Sequence, residues 1–179
     1  MKKSTNPLKR LAVLMSWLPF VASVHAETLA VGQPAPLFEL QAQDGSVVNL
    51  AARQGKGWTV LYFYPKAGTP GCTKQACAFR DSIQSIRQQN AEVYGVSTDD
   101  VKSLQDFHQK HKLMFTLLAD PEAKVTVAYG VKMPLVAVAK RWTFIIDPAL
   151  VVRQIDDDVD PALDAKRVVA ELQKLQAGS

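Results

Sequence analysis

Cys72 and Cys77 stand five residues apart, directly behind the loop Ala67-Gly68-Thr69-Pro70-Gly71 and at the start of a helical pattern. A cysteine at a helix N-terminus meets unpaired backbone N–H groups and the positive end of the helix dipole. Both stabilise an anion, so the nucleophilic thiolate is the favoured form. The same N–H groups can stabilise negative charge developing on a substrate oxygen. Thr69 offers a hydroxyl, donor and acceptor at once, to the same pocket. Pro65 turns the backbone sharply ahead of this loop, and Pro70 with Gly71 lets the main chain approach a small ligand closely.

The spacing of the two cysteines adds a mechanical condition. Five residues of α-helix are about 7.5 Å of rise and about 140° of rotation, which sends the two sulfurs to different faces. A disulfide needs Cα atoms within about 7 Å and converging Cβ vectors. Joining Cys72 to Cys77 therefore requires the first helical turns to unwind, and a permanent bridge would leave the helix start broken. There is no C-x-x-C dithiol. Two other classes stay open at this point: a binding domain with an inert structural disulfide, and a metal-carrying thioredoxin-fold protein. The second would use two cysteines and a downstream histidine as soft ligands, but no histidine follows His111.

Other polar residues have plainer readings. His108 and His111 share a helix three residues apart and could be half a metal site, but no third ligand is in view, so a solvated helix face is expected. Asp156, Asp157, Asp158 and Asp160 read as a loop with helix-capping duty rather than a calcium site. Lys74 and Arg80 read as exposed helix charges, and Trp58, Tyr62 and Phe63 as core.

The elements that must hold Cys72 follow from periodicity. Leu37 to Leu40 and Val47 to Leu50 form a hairpin around Asp44-Gly45. Trp58 to Tyr64, uncharged and rich in aromatic and β-branched residues, reads as a strand buried on both faces. From Thr73 to Gln89 apolar residues recur at helical spacing at Ala76, Phe79, Ile83 and Ile86. Beyond come a strand Glu92 to Ser97, a helix Val101 to His111 capped by Thr98 or Asp99, a strand Phe115 to Leu118 and a helix after Pro121. Strands Thr143 to Ile146 and Val151 to Ile155 and a helix from Pro161 to Leu175 complete the chain. This order predicts an α/β, thioredoxin-like fold: a mixed central sheet flanked by helices, with an N-terminal β-hairpin.

The stretch Phe63-Tyr64-Pro65-Lys66-Ala67-Gly68-Thr69-Pro70-Gly71-Cys72-Thr73-Lys74-Gln75-Ala76-Cys77 resembles the active-site segment of peroxiredoxins, whose core is P-x-x-x-T-x-x-C. The second cysteine resembles that of the Q, or bacterioferritin-comigratory-protein, type. Gly32-Gln33-Pro34-Ala35-Pro36, Gly95-Val96-Ser97-Thr98-Asp99 and Arg141-Trp142-Thr143-Phe144-Ile145-Ile146-Asp147 extend the resemblance along the chain. It implies a thiol peroxidase acting on hydrogen peroxide and organic hydroperoxides, with Cys72 as the peroxidatic and Cys77 as the resolving cysteine. It further implies that Thr69 hydrogen-bonds the peroxide, that Pro65 shields the thiolate and that Arg141 reaches both sulfur and peroxide. No metal or organic cofactor is implied. The reductant would be thioredoxin or a periplasmic thioredoxin-like protein, and the assembly a monomer or weak homodimer.

Residues 1–26 read as a signal peptide, with a cationic start at Lys2, Lys3, Lys9 and Arg10, a short apolar run Leu11 to Val21 and Val24-His25-Ala26 at the cut. Residues 27–179 are then a single domain, periplasmic or secreted, with no membrane anchor. Removing the leader leaves 17 basic and 17 acidic residues. No basic patch remains to attract nucleic acid or an anionic membrane. The apolar segment Val131 to Ala139 is expected to pack over the site or to face a partner.

Overall fold

A computed structural model describes residues 29–178, so the expected leader lies outside the described residues. The elements run β1 (Glu39–Ala42), β2 (Val47–Asn49), a 3-10 turn (Leu50–Arg53), β3 (Trp58–Phe63), α1 (Pro70–Gln88), β4 (Ala91–Ser97), α2 (Val101–His111) and β5 (Thr116–Ala119). They continue with α3 (Lys124–Ala128), β6 (Trp142–Ile146), β7 (Val152–Asp156) and α4 (Asp164–Ala177). The strands form one seven-stranded mixed sheet in the order β2-β1-β5-β4-β3-β6-β7. β3, β4 and β5 run parallel, whereas β6 lies antiparallel to β3 with Phe63 opposite Trp142. The α/β fold with an N-terminal hairpin is the one the sequence predicts.

Alternation along each strand sorts the core into two layers. Val60, Tyr62 and Tyr64 of the β3 region, Val93 of β4, Leu117 of β5 and Ile145 of β6 face α1, α2 and α4, where Phe79, Ile83, Leu104, Phe107, Val168 and Leu172 meet them. Leu61, Phe63, Val96, Leu118, Phe144 and Ile146 point the other way, onto Val125 and Tyr129 at α3 and onto Ala35 and Phe38 from the N-terminal segment. Every residue of β3 is buried, as a central strand requires. An aromatic stack, Tyr64 to Tyr62 to Phe79 with centroids 5.4 and 4.6 Å apart, joins this strand to α1. It needs Gly95 on the neighbouring strand, where a Cβ would lie 2.6 Å from the Tyr62 hydroxyl oxygen.

Several element boundaries differ from the sequence reading. β1 begins at Glu39 rather than Leu37, because its extent is set by its partners: Glu39 pairs with Asn49, and Gln41 with Ala119. Leu37 stays outside the ladder, largely exposed. α1 begins at Pro70, three residues earlier than the apolar spacing suggests, since proline is pre-organised for the first helical position. Asp100, not Thr98 or Asp99, caps α2 through the Ser103 amide at 2.7 Å. α4 begins at Asp164 rather than Pro161. The intervening turn is tied by Asp160, whose Oδ1 accepts the Ala162 amide at 2.7 Å and whose carbonyl accepts the Asp164 amide at 3.0 Å. The two histidines are half-exposed, beside the exposed Gln109 and Lys110, and each also has a protein contact. His108 Nε2 lies 3.1 Å from the Phe115 carbonyl oxygen, and the His111 ring packs edge-on against Phe107.

Candidate active site

Cys72 occupies the third position of α1, behind Thr69 at the cap and Pro70 at the first helical position. Pro70 has no N–H, so the amides of Gly71 and Cys72 are the unpaired donors of this helix start. Thr73 closes the first backbone bond to the Thr69 carbonyl at 2.8 Å. The Cys72 side chain is 1% exposed, set against the apolar layer under α1. Cys77 is half-buried, and both cysteines are free within one continuous helix. The helix therefore holds the two thiols on different faces, as the five-residue spacing demands.

Arg141 arrives from the other side of the chain's topology. It directly precedes β6, and because β6 runs antiparallel to β3, the entry of β6 and the exit of β3 share one end of the sheet. From there Arg141 Nη2 donates to Cys72 Sγ at 3.3 Å, across 69 residues of sequence. A Cβ on Gly71 would lie 3.3 Å from the same Nη2. Gly71 thus makes room for the guanidinium, where the sequence suggested room for a ligand.

Thr69 is half-buried and its hydroxyl donates to the Lys66 carbonyl at 3.0 Å rather than capping the helix. With its proton committed, the oxygen is left with acceptor capacity only. Pro65 lies half-buried immediately beyond β3. The loop between them is pinned by Asp99, whose Oδ2 accepts the Ala67 amide and the Ser97 hydroxyl, both at 2.8 Å. Thr98, the other residue expected to cap α2, instead donates to the Ala137 carbonyl at 2.8 Å and ties down the apolar 131–139 segment. Leu135 at its tip is fully exposed.

Two residues of the site escaped the sequence reading. Gln75 is completely buried, and its Oε1 accepts Arg141 Nη1 at 2.5 Å while its Nε2 donates to Asp164 Oδ2 at 2.6 Å. Asp164, on α4 and 1% exposed, also accepts the Thr143 hydroxyl at 2.9 Å. Burial pushes its carboxyl up to about 6, against the pull of those two hydrogen bonds. Gln75 did leave a signal: it lies in the stripe 72-75-76-79-83-86, and a glutamine on an otherwise apolar helix face needs a buried partner. Asp164 left none, because an acid at a helix start is ordinarily a solvated residue favoured by the dipole. Arg80 was also read too simply. It is anchored to the His111 carbonyl at 2.9 Å and so ties α1 to the end of α2.

A buried thiol beside a guanidinium at a helix start, with a second free thiol five residues on, is the arrangement expected of a cysteine peroxidase. The AhpC/TSA family model matches residues 31–155. The chain belongs to that family, in its peroxiredoxin Q group. Within it, the chain is 45% identical over 137 residues to the chloroplastic peroxiredoxin Q of Suaeda salsa, a match covering 76% of this chain and 63% of that protein. It is 42% identical over 126 residues to a bcp-type peroxiredoxin of Coxiella burnetii, covering 67% of this chain and 83% of the other. The chain thus spans about three-fifths of the length of the plant protein. Among solved structures, peroxidoxin BcpB of Mycobacterium tuberculosis superposes with a TM-score of 0.78 at 33% identity, covering 82% of this chain and 98% of the other. The bacterioferritin comigratory protein of Xanthomonas campestris, described for its alkyl peroxide reduction activity, gives 0.72 at 30% identity over 77% and 91%. The AhpC/TSA match disfavours the metal-carrying class; among the described residues no group of three His, Cys, Asp or Glu is placed to hold a metal ion. The peroxiredoxin Q relatives disfavour an inert disulfide domain as well.

Proposed function

We propose that this protein reduces hydrogen peroxide and organic hydroperoxides by a two-thiol cycle. The Cys72 thiolate attacks one peroxide oxygen, forming an S–O bond as the O–O bond breaks. The departing oxygen takes a proton and leaves as water or an alcohol. Cys77 then attacks the Cys72 sulfenic acid, the S–O bond breaks, water leaves and a disulfide forms. Two electrons have passed from the thiol pair to the peroxide. An external dithiol of the thioredoxin class returns them by thiol–disulfide exchange.

In this reading Arg141 and the Gly71 and Cys72 amides stabilise the charge on the departing oxygen. Thr69 accepts the peroxide hydrogen, and Pro65 covers one side of the thiolate. The observation that carries the proposal is the 3.3 Å contact between Arg141 Nη2 and the buried Cys72 sulfur at a helix N-terminus. Thiol titration before and after one equivalent of hydrogen peroxide tests it. Two free thiols should disappear per peroxide consumed, whereas an unchanged titre would overturn the reading.

The proposal includes export. The cationic, acid-free start and short apolar run of residues 1–26 support a cleaved signal peptide, and hence a periplasmic or extracellular thioredoxin-like reductant. Intact mass in the native cell checks it. A soluble product lacking residues 1–26 is expected, and full-length protein in the membrane fraction or inside an organelle would count against export.

A further inference from the structure

We infer that Asp164 is a positioning residue: acting through the Gln75 amide, it orients Arg141 on Cys72 and clamps the first turns of α1 in the helical form that meets peroxide. This deepens the peroxidase reading and rests on it for its kinetic consequences.

The geometry is a chain of four groups. Asp164 Oδ2 accepts Gln75 Nε2 and the Thr143 hydroxyl, Gln75 Oε1 accepts Arg141 Nη1, and Arg141 Nη2 donates to Cys72 Sγ. The chemistry of the end groups fixes the middle one. A guanidinium only donates and an ionised carboxylate only accepts, so the Gln75 amide has a single orientation that satisfies both neighbours. If the carboxylate is lost, the Gln75 NH2 loses its buried acceptor, and only the guanidinium still holds the amide and the helix turn that carries it.

Asp164 is also an odd residue to bury for packing alone. Its Oδ1 is buried with no hydrogen-bond partner among the described residues, an arrangement that ordinarily disfavours a carboxyl at such a place. The groups around it come from the packed elements: Arg141 before β6, Thr143 on β6, Tyr62 on β3, Gln75 on α1, and Asp156 at the end of β7, which pairs with Arg167 of α4 at 3.5 Å. Arg141 is the cation that favours the ionised form and Asp156 the anion that opposes it.

The clamp lies on the segment that has to open. Cys77 cannot reach Cys72 while α1 is intact, so residues 70–78 must unwind before the disulfide forms. Further along, Phe79 stacks on Tyr62 and Arg80 holds the His111 carbonyl, so the helix is anchored from residue 79 onward. Between Thr69 and Ala78, Gln75 carries the side-chain hydrogen bond that joins α1 to α4 and shares Arg141 with the Cys72 sulfur. Tightening this contact favours the first oxidation, and loosening it favours disulfide closure. The two steps should respond to Asp164 with opposite signs, which a merely structural residue would not produce.

The experiment compares Asp164→Ala and Asp164→Asn with the full-length parent chain. In Asp164→Ala, oxidation by hydrogen peroxide should slow roughly tenfold while disulfide closure after oxidation becomes severalfold faster. Amide hydrogen exchange over residues 70–78 should speed up roughly tenfold, with residues 79–88 unchanged. Asp164→Asn keeps the shape and the fold. It should remove the inflection near pH 6 that titration of Asp164 is expected to give the parent's oxidation rate. Equal slowing of both steps, exchange that rises along the whole helix, or an inflection that survives in Asp164→Asn would each overturn the clamp. Hydrogen exchange needs no peroxide, so a parent chain that fails to consume peroxide would sink the peroxidase reading and leave the clamp to be judged by exchange.

Discussion

Gly71 and Arg141 meet so closely that a single added methyl would touch the guanidinium, 3.3 Å from Nη2. The glycine sits inside a helix, with no special backbone angle to explain it. Its absence of a side chain is what lets an arginine from a distant strand reach the thiol. Gly71→Ala should fold, because the far end of an arginine can yield by a few tenths of an ångström. Peroxide oxidation should slow roughly tenfold, about 1.4 kcal/mol of barrier, as the guanidinium shifts from the sulfur. Stopped-flow oxidation with a parallel thermal melt would show this, and an unchanged rate would mean the contact has slack.

Arg141→Ala and Arg141→Lys separate charge from geometry. Both should slow oxidation by roughly two orders of magnitude, because a lysine cannot span Cys72 and Gln75 with one compact ammonium. The alanine variant should also lose about 1–3 kcal/mol of stability, since the buried Gln75 oxygen is left without its donor. A wild-type rate in the lysine variant would remove the two-pronged contact from the mechanism.

The cysteines should divide the work. Cys72→Ser should abolish peroxide consumption. Cys77→Ser should consume about one equivalent and stop as a sulfenic acid, detectable by trapping with a dimedone-type reagent and by mass. If both variants fail at the first oxidation, the roles are misassigned.

Asp164 also makes stability depend on pH in an unusual direction. Its carboxyl titrates at about 6 in the fold against an ordinary value of 3.8, so between these limits the folded chain holds a proton that the unfolded chain has lost. Its stabilising contribution is full below about pH 4 and falls away by about pH 6, with a slope near 1.4 kcal/mol per pH unit at most. Subtracting the unfolding free energy of Asp164→Asn from that of the parent at each pH should expose this slope. A flat difference would show that the carboxyl titrates normally.

How much of this was legible depends on whether the information is local. The helix that carries Cys72 announces itself through Ala76, Phe79, Ile83 and Ile86, and β3 through its unbroken apolar run. Proline, threonine and cysteine at fixed spacing mark one half of the site because they lie on one loop. Asp99 illustrates the limit: it looks like a cap for α2, and that work passes to Asp100 because Asp99 is occupied with the Ala67 amide. Asp164 is the extreme case. Its burial comes from the packing of α4 against α1 and β6, and no pattern within α4 distinguishes it from a solvated acid.

The pairing of Phe63 with Trp142 has a consequence for how faithfully the site is reproduced. Side chains along β6 alternate, so Thr143 faces α4 while Trp142 and Phe144 face the opposite layer, and Arg141 shares the side of Thr143. Displacing β6 by one residue would turn both polar groups away from Cys72 together and bury them among Phe63, Tyr129 and Val96. The location of the guanidinium is thus a matter of parity rather than of graded distance. Every correctly zipped sheet has the arginine at the sulfur, and a sheet zipped one step out has no site at all.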